Sequence, residues 1–216
     1  MKSRPLVLVT AGPTRENIDP IRFISNRSTG TFGYAIAKEA RIRGCNVVLV
    51  TGPAAIKPPA GVKTIRVESA MDMLRAVNSW SGRADYIFMA AAVSDWRVSR
   101  PAESKIKRSA GGTVKILRLV ENPDILKGLQ RREGCLLTGF ALESEDLAKN
   151  AATKLLSKKL DMIVANQIKE NSNIFGDNKL DITIIDRKGG LKRYRNRSKV
   201  RLAKIILDKA FSFNIK

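Results

Sequence analysis

Short, nearly continuous apolar runs alternate along the chain with longer segments in which apolar residues recur at helical spacing. Five of these runs are predicted strands, at residues 5–11, 45–54, 85–90, 136–144 and 160–166. Strands that are apolar on both faces are typical of a parallel sheet covered by helices on each side. The pattern therefore predicts an α/β fold, a Rossmann-like three-layer parallel sheet.

Helices are predicted between and after these strands, at residues 29–43, 70–80, 125–132, 145–159 and 198–211. Ser28 or Thr29 is the expected N-cap of the first helix and Gly44 its C-terminal stop, while Ser69 is the expected cap of the second. Two further segments alternate between apolar and polar residues, which predicts shorter strands at residues 62–67 and 113–120.

Two segments depart from this alternation. Residues 97–112 (RVSRPAESKIKRSAGG) have no hydrophobic period, and we interpret them either as a disordered surface loop or as a mobile flap over a site. Residues 174–198 contain alternating strands that meet at Lys188-Gly189-Gly190, which is a hairpin signal. We interpret this hairpin as a lateral addition to a single domain of residues 1–216.

The predicted strands end in loops at Gly12, Gly52 and residues 91–96. Ligands of parallel sheets bind beyond the carboxyl ends of the strands, so these loops are expected to share one rim. The helix that begins near residues 28–33 turns unpaired N–H groups toward the same place, which favours an anion. The polar loop of residues 12–28 is, however, too long for an ordinary dinucleotide-binding turn.

A pyridine-nucleotide oxidoreductase is one alternative for such a sheet. It would carry a compact G-x-G-x-x-G turn and an acidic residue at the end of the second strand. This chain has instead the long first loop and Thr51-Gly52-Pro53, and both features count against that alternative.

The chain is strongly basic, with 40 Lys and Arg against 20 Asp and Glu, a formal charge of +20. A nucleic-acid-binding protein is therefore a second alternative. The basic residues are dispersed, however, and only residues 105–108 and 191–201 are dense. No zinc-ligand spacing or aromatic RNA-binding signature accompanies them, so nucleic acid is not expected as the primary partner.

No run of about 18 apolar residues is present, so no membrane span is expected. The N-terminus is interpreted as a first strand and not as a signal peptide, which predicts a cytoplasmic protein. Cys45 and Cys135 each open an apolar strand pattern, which indicates buried core thiols in a reducing compartment.

The sequence contains no histidine. Ser-His-Asp and Cys-His nucleophilic catalysis and an imidazole-ligated metal are therefore excluded for this chain. Acid–base or electrophilic chemistry must come from Lys, Arg, Asp or Glu, from backbone dipoles, or from a metal ion held mainly by phosphate oxygens.

Several longer motifs occur in an order that resembles phosphopantothenate–cysteine ligase, which is also the C-terminal half of the bifunctional bacterial coenzyme A biosynthesis protein. They are AGPTRE (11–16), DPIRFISNRSTGTFG (19–33), AAAVSDW (90–96), KIKR (105–108), ENPDIL (121–126), GFALES (139–144) and DMIVAN (161–166). The resemblance covers about residues 5–208. It implies the ligase alone, without the flavin-dependent decarboxylase of bifunctional relatives, and hence no flavin.

The resemblance implies a reaction in two steps. The carboxylate of 4'-phosphopantothenate attacks the α-phosphate of a nucleoside triphosphate, CTP in most bacterial members, and gives an acyl-nucleotide and pyrophosphate. The amine of cysteine then displaces the nucleoside monophosphate and forms the amide. Backbone N–H groups, Lys and Mg²⁺ can stabilise the negative charge that both steps develop. The family is typically dimeric, with the hairpin region in the interface, so a homodimer is implied.

Roles for individual residues also follow from the resemblance. Asn26 is expected at the reacting acyl centre, where its amide would donate to an oxyanion, and Lys105 in the flap, where it would neutralise triphosphate charge. Arg15 and Arg22 either bind the substrate phosphate or only brace the long loop. Asp95 is the expected Mg²⁺-side ligand. The residues with an expected nucleotide contact are Gly12, Gly30, Gly33, Ala91, Ala92, Asp95, Phe140, Ala141 and Lys158.

Several of these residues have an equally simple structural explanation. The glycines fit turn geometry, Asp95 fits a helix or turn cap, and Phe140 fits a core position at a strand end. The chain also departs from the family pattern: Thr31 and Glu121 stand where many relatives have Lys, and residues 175–178 form a run one residue shorter. The choice between CTP and ATP therefore stays open.

Overall fold

The computed structural model describes residues 4–107, 115–143, 145–167 and 178–213. Its strands are β1 Leu6–Ala11, β2 Arg15–Asn17, β3 Phe23–Ser25, β4 Asn46–Thr51, β5 Lys63–Arg66, β6 Tyr86–Met89, β7 Trp96–Val98, β8 Leu119–Glu121, β9 Leu136–Glu143, β10 Met162–Gln167, β11 Leu180–Asp186 and β12 Leu191–Arg197. Its helices are α1 Thr31–Ile42, α2 Ala70–Ser81, α3 Leu147–Ser157 and α4 Lys199–Phe211. None of these helices is long and apolar enough to cross a membrane.

Eight strands form one sheet in the order β12-β11-β10-β9-β6-β1-β4-β5. Six neighbouring strands of this sheet are parallel: β10, β9, β6, β1, β4 and β5. Strand β11 runs antiparallel to β10, and β12 runs antiparallel to β11. Read by position along the chain, the parallel strands have the order 3-2-1-4-5-6, which is that of a dinucleotide-binding Rossmann sheet. The predicted Rossmann-like fold is confirmed, and the strand order reverses between β1 and β6.

The sheet is covered on both faces, as the apolar strands predicted. Alternate residues of β1 point to opposite sides: Val7 and Val9 belong to the core under α1 and α4, and Leu8 to the core under α2 and α3. All three are completely buried. Burying an aliphatic side chain stabilises a fold by roughly 1.5–3 kcal/mol, so this central strand anchors both layers.

The helix caps follow the sequence in one case and not in the other. Ser69 caps α2 as predicted, in a capping box with Asp72. The predicted cap of α1 by Ser28 or Thr29 is wrong, because the N-cap is Gly30 and no side chain caps the helix. Gly30 has φ 78°, and an added Cβ would lie 3.1 Å from the amide nitrogen of Gly12. Close packing on Gly12 therefore decides how α1 begins.

Three local predictions need correction. The predicted helix at residues 125–132 is a turn, because Gly128 interrupts it and Ile125 alone in that segment is buried. The predicted strand at residues 113–120 shortens to β8, with residues 113–114 outside the described residues. The predicted flap begins as a strand, β7, which pairs antiparallel with β8. Its residues 108–112 also lie outside the described part of the chain.

The C-terminal hairpin forms with its turn at the predicted residues, Lys188 to Gly190. It is added at the edge of the main sheet: β11 pairs with β10, so the hairpin extends the sheet by two strands. Residues 174–177 of the predicted interval lie outside the described residues. Strand β12 forms one edge of the sheet, and all of its residues except Tyr194 are exposed.

Candidate active site

Three loops meet at the carboxyl ends of β1, β4 and β6. The amide of Gly52 donates to the carbonyl of Ala11 at 3.0 Å, and the amide of Ala92 donates to the carbonyl of Gly12 at 2.9 Å. Thr14 returns a hydrogen bond from its amide to the carbonyl of Ala92 at 3.2 Å. The predicted common rim is confirmed, and it is held together mainly by backbone hydrogen bonds.

Glycines allow the backbones of this rim to approach one another. A Cβ on Gly52 would overlap the carbonyl oxygen of Pro13, and one on Gly12 would lie 3.1 Å from the carbonyl oxygen of Gly52. Gly12 also has φ 74°, a left-handed conformation that glycine adopts without strain. A Cβ on Gly33 would lie 2.5 Å from Cβ of Ala11, so Gly33 allows α1 to pack against β1.

A cleft of about 560 Å³ opens at the same ends of the strands, beside the switch between β1 and β6. Thr10, Met89 and Phe140 line it from the sheet, and residues 91, 93–96 and 121–126 line it from the loops on either side. The structure brings four of the predicted nucleotide contacts together here: Ala91, Asp95, Phe140 and Lys158.

The other predicted nucleotide contacts do not line this cleft. Gly12, Gly30 and Ala92 lie in the adjoining rim, where Ala92 bonds to Gly12 and Gly30 packs on Gly12. Gly33 faces β1. Ala141 is buried in the core under α2 and α3, so only its backbone is a candidate for ligand contact.

Asn122 joins the two walls of the cleft. Its side-chain amide donates to the carbonyl of Ser94 at 2.9 Å, and its backbone amide donates to the carbonyl of Asp95 at 2.8 Å. Arg97 donates to Asn122 Oδ1 at 3.3 Å and to the carbonyl of Glu121. These bonds hold the ENPDIL segment against the AAAVSDW segment, which explains why the cleft has a defined width.

Two lysines of the α3 region face the cleft. Lys158, which follows the last turn of α3, donates from Nζ to Asp124. Burial favours a raised pKa for Asp124, but the hydrogen bond from Lys158 and two backbone amides outweigh it, and the pKa is lowered. Lys154 also lines the cleft, one helical turn earlier, and makes no ion pair with any residue that the structure describes. Sequence reasoning missed Lys154, although its i,i+4 spacing from Lys158 places both on one helix face.

Asn26 follows β3 and contacts the β6 loop, which is the segment of residues 90–95 between β6 and β7. Its amide nitrogen donates to the carbonyls of Ala92 and Val93 at 3.0 and 3.2 Å. Because both amide hydrogens are engaged, the side chain offers a ligand only its acceptor oxygen Oδ1. The sequence-based hypothesis made this amide a donor to an oxyanion, and the geometry favours an acceptor role instead.

Lys105, Arg15 and Arg22 do not line the cleft. Lys105 is exposed. Arg22 forms an ion pair with Asp19 in its own loop. Arg15 lies 4.3 Å from the ring centre of Phe23 and 3.8 Å from the carboxylate of Glu68. Both arginines therefore make the loop-bracing contacts that the sequence left open as the alternative to phosphate binding.

The donor set of the cleft suits a magnesium ion that arrives with a phosphorylated ligand. Asp95, Glu121 and Asp124 supply carboxylates from the two walls, and Asp124 is engaged by Lys158. In the described ranges no group of three or more His, Cys, Asp or Glu side chains is arranged to hold a metal. Proteins usually bind Mg²⁺ through one or two carboxylates together with phosphate oxygens and water. Asp95 fits that arrangement.

The two cysteines are core residues, as predicted. Cys45 and Cys135 are free and buried. Burial raises the pKa of Cys135 to about 11, so its thiol stays protonated at neutral pH and is a poor nucleophile.

Comparisons with known proteins agree with the fold. The family described as "DNA/pantothenate metabolism flavoprotein C-terminal domain" matches residues 3–213. The bifunctional coenzyme A biosynthesis protein CoaBC of Bacillus subtilis is 42% identical over 185 residues, 85% of this chain and 45% of that protein. A cysteine/cysteine sulfinic acid decarboxylase from an unknown prokaryotic organism is 39% identical over 204 residues, 94% of this chain and 57% of that protein.

The crystal structure of the C-terminal domain of a CoaBC protein superimposes with a TM-score of 0.78 at 36% identity, covering 95% of this chain and 93% of that domain. The chain thus spans about half the length of the curated relatives it matches. The resemblance found in the motifs is confirmed: the chain belongs to the DNA/pantothenate metabolism flavoprotein C-terminal domain family, and within it resembles the phosphopantothenate–cysteine ligase part of CoaBC.

Proposed function

We propose that this chain is a phosphopantothenate–cysteine ligase of coenzyme A biosynthesis. One observation carries the proposal: the β6 loop serves two sites at once. Ala91 and Asp95 of this loop line the cleft, while the carbonyls of Ala92 and Val93 hold Asn26 beside it. A nucleotide in the cleft would then have its α-phosphate close to an acyl group at Asn26, which is the juxtaposition that an acyl-nucleotide requires.

The cleft suits a nucleoside triphosphate. Lys154 and Lys158 give it two cations at the C-terminal end of α3, and the ring of Phe140 offers a face or edge for a base. Asp95 would hold Mg²⁺, which when bound neutralises charge on the phosphate oxygens. CTP is the expected nucleotide on the family resemblance.

In the first step a carboxylate oxygen of 4'-phosphopantothenate attacks the α-phosphorus, and pyrophosphate leaves with the bonding electron pair. Lys154 and Lys158 would hold the phosphates in line, because ammonium groups stabilise the charge that grows on their oxygens. Lys105 would add a third cation from the predicted flap. No proton has to move in this step, which suits a site without histidine.

In the second step the amine of cysteine attacks the acyl carbon, and the nucleoside monophosphate leaves with the electron pair of the broken bond. The attacking nitrogen must lie about 3–3.5 Å from the carbon, and the proton that it loses passes to the phosphate of the departing nucleoside monophosphate or to water. Asn26 Oδ1 would accept a hydrogen bond from that nitrogen and orient its lone pair. The role proposed for Asn26 is therefore the second step.

We also propose a homodimer, but at a different surface from the one that the resemblance suggested. Large apolar side chains are exposed on and beside the small sheets β2-β3 and β7-β8, namely Ile21, Phe23, Trp96, Leu117 and Leu119. Exposed apolar patches of this kind mark interaction sites. The exposed residues of β12 are mostly cationic, which disfavours contact between two copies there.

The test is a coupled pyrophosphate-release assay with phosphopantothenate, cysteine and either CTP or ATP. Release that depends on phosphopantothenate supports the ligase, and the better nucleotide settles specificity. Absence of release with both nucleotides, from a folded protein, would overturn the proposal.

Substitution of Asn26 separates the two steps. Asn26→Ala should release one equivalent of pyrophosphate in a single turnover and accumulate the acyl-nucleotide, while amide formation slows about 10²–10³-fold, the usual effect of losing one transition-state hydrogen bond. Quenched-flow chromatography measures both species. Asn17→Ala, in the same loop, is the matched control and should leave both steps unchanged. Amide formation by Asn26→Ala at the wild-type rate would contradict the role assigned to Asn26.

A further inference from the structure

The long loop after β1 is hydrogen-bonded to the predicted flap through one buried carboxylate. Asp19 is 2% exposed, and it accepts backbone hydrogen bonds from Ile21 and Arg22 in its own loop, each at 2.9 Å. It also accepts one from the amide of Ile106 at 3.1 Å, across 87 residues of sequence. The carboxylate therefore organises the loop and binds the flap at the same time.

Arg22 binds Ile106 as well, through the carbonyl group of that residue. Its guanidinium pairs with Asp19 through Nε and Nη2 and donates from Nη2 to the carbonyl of Ile106 at 2.8 Å. Asp19 and Arg22 thus bind both the N–H and the C=O of Ile106, in what we call the Ile106 clamp. A second bond, from the amide of Ala102 to the carbonyl of Ile18 at 2.9 Å, holds the same strand of chain.

The charges of the clamp are stable over the working range of pH. The hydrogen bond from Arg22 is the largest influence on Asp19, burial opposes it, and the backbone amides add to it. The net result is a pKa of Asp19 far below its usual range. The clamp is therefore ionised, and has its full strength, throughout the neutral range.

We propose that Asp19 and Arg22 are positioning residues for Lys105, which precedes the clamped residue; this inference rests on the ligase function proposed above. The peptide group that contains the Ile106 amide also contains the Lys105 carbonyl, so fixing it fixes the position of the Lys105 Cα and leaves one backbone rotation, ψ of Lys105, between the clamp and the side chain. A lysine has four rotatable side-chain bonds, and ordering them costs conformational entropy. A fixed base limits the conformations that Lys105 must search to reach a phosphate.

This inference also explains a feature of the site that phosphate binding leaves unexplained. An arginine that recognises a ligand phosphate needs an open guanidinium fork. Two of the three guanidinium nitrogens of Arg22, Nε and Nη2, are occupied by Asp19 and Ile106, although 49% of the side chain is exposed. Arg22 therefore joins two segments of the chain and does not act as a phosphate receptor.

The decisive experiment uses Arg22→Gln and Asp19→Asn, measured as the single-turnover rate of acyl-nucleotide formation. Each should slow this rate about 10–100-fold, since small misplacements of a catalytic group have effects of this size. The KM for the nucleotide should change much less. Arg75→Gln is the matched control, because Arg75 pairs with Asp72 at the same i,i+3 spacing on the exposed face of α2. It should leave the rate unchanged.

Combination with Lys105→Gln distinguishes positioning from general damage. If the clamp acts through Lys105, Arg22→Gln should cause no further loss in the Lys105→Gln background. A double variant that is slower by the product of the two single effects would overturn the inference.

Hydrogen exchange tests the clamp without reference to catalysis. A peptide covering residues 99–107 should exchange faster in Arg22→Gln and Asp19→Asn than in the wild type and Arg75→Gln. Unchanged protection in both clamp variants would overturn the clamp itself. If the wild type proves not to release pyrophosphate, the ligase proposal fails while this measurement still decides whether the clamp holds the flap.

Discussion

The two ends of the main sheet hold charge in opposite ways. At the amino end, Asp85 and Asp161 each accept a backbone amide from a neighbouring strand at 2.7 Å, from Leu6 and Leu137 respectively. The same carboxylates pair with arginines: Asp85 with Arg132, and Asp161 with Arg131 and Arg187. Every one of these cations has a carboxylate partner.

At the carboxyl end, the loops are joined by backbone bonds and close glycine contacts, and Lys154 makes no ion pair within the described part of the chain. Lys154 is half-buried, so its ammonium group is available to a ligand anion. The charges at the amino end neutralise one another and therefore stabilise the fold. The carboxyl end, in contrast, keeps the charge of Lys154 available for a ligand. Three measurements test this contrast between the two ends of the sheet.

The largest effect is expected at the amino end. Asp161→Ala should lower the free energy of unfolding by about 2–4 kcal/mol, because it leaves a buried strand amide and two arginines without their acceptor. Urea denaturation measures the change. Asp208→Ala is the control, since Asp208 pairs with Arg43 but its side chain is 68% exposed, and it should cost at most about 1 kcal/mol. If Asp161→Ala lowers the free energy of unfolding no more than Asp208→Ala does, the charges at the amino end of the sheet do not have the stabilising role assigned to them.

A smaller effect of the other kind is expected at the carboxyl end. Lys154→Gln should weaken nucleotide binding about tenfold, in keeping with the loss of one charged hydrogen bond, with no change in the urea midpoint. Calorimetric titration with CTP or ATP measures the affinity. Lys149→Gln removes an exposed charge from the same helix and should leave the affinity unchanged. Equal losses for the two variants would indicate a diffuse field and not a site.

The smallest effect concerns pH. Burial raises the pKa of Cys135, at the start of β9, to about 11. Folding therefore favours the protonated thiol: its contribution is complete below the ordinary thiol pKa and is lost as pH rises through the folded value. Stability should fall by about 1 kcal/mol more in the wild type than in Cys135→Ala between about pH 9 and 10. Parallel urea titrations of the two proteins with identical pH slopes would contradict this.

The parallel main strands and the shared rim were predictable because long buried strands and helical spacing leave a strong signal in sequence. The small sheets were not predictable, since β2, β3, β7 and β8 have three residues each and such lengths show no period. The helix expected at residues 125–132 failed for a related reason: its charged and apolar residues fit a helical count, but tertiary contacts bury Ile125 alone.

The site was predictable only in part. The placement of Ala91, Asp95, Phe140 and Lys158 around one cleft agrees with the family resemblance, and no periodicity would have found it. The engagement of Asn26 with the β6 loop joins residues 66 and 67 positions apart. A side-chain bond to a backbone carbonyl leaves no compositional trace at such a distance, so the sequence could not predict the partners of the Asn26 amide.

The exposed edge strand β12 has a consequence for how copies of this protein behave in solution. An open edge offers unpaired backbone groups to any passing strand, but this one carries Lys192, Arg193, Arg195 and Arg197, and the opposite edge β5 carries Lys63 and Arg66. Like charges at both edges repel a second sheet of the same sequence, which opposes fibrous association. Dissolved salt screens charges beyond about 10 Å at 0.1 M. Dilute buffers thus keep the protein dispersed at its edges, and concentrated salt weakens that protection.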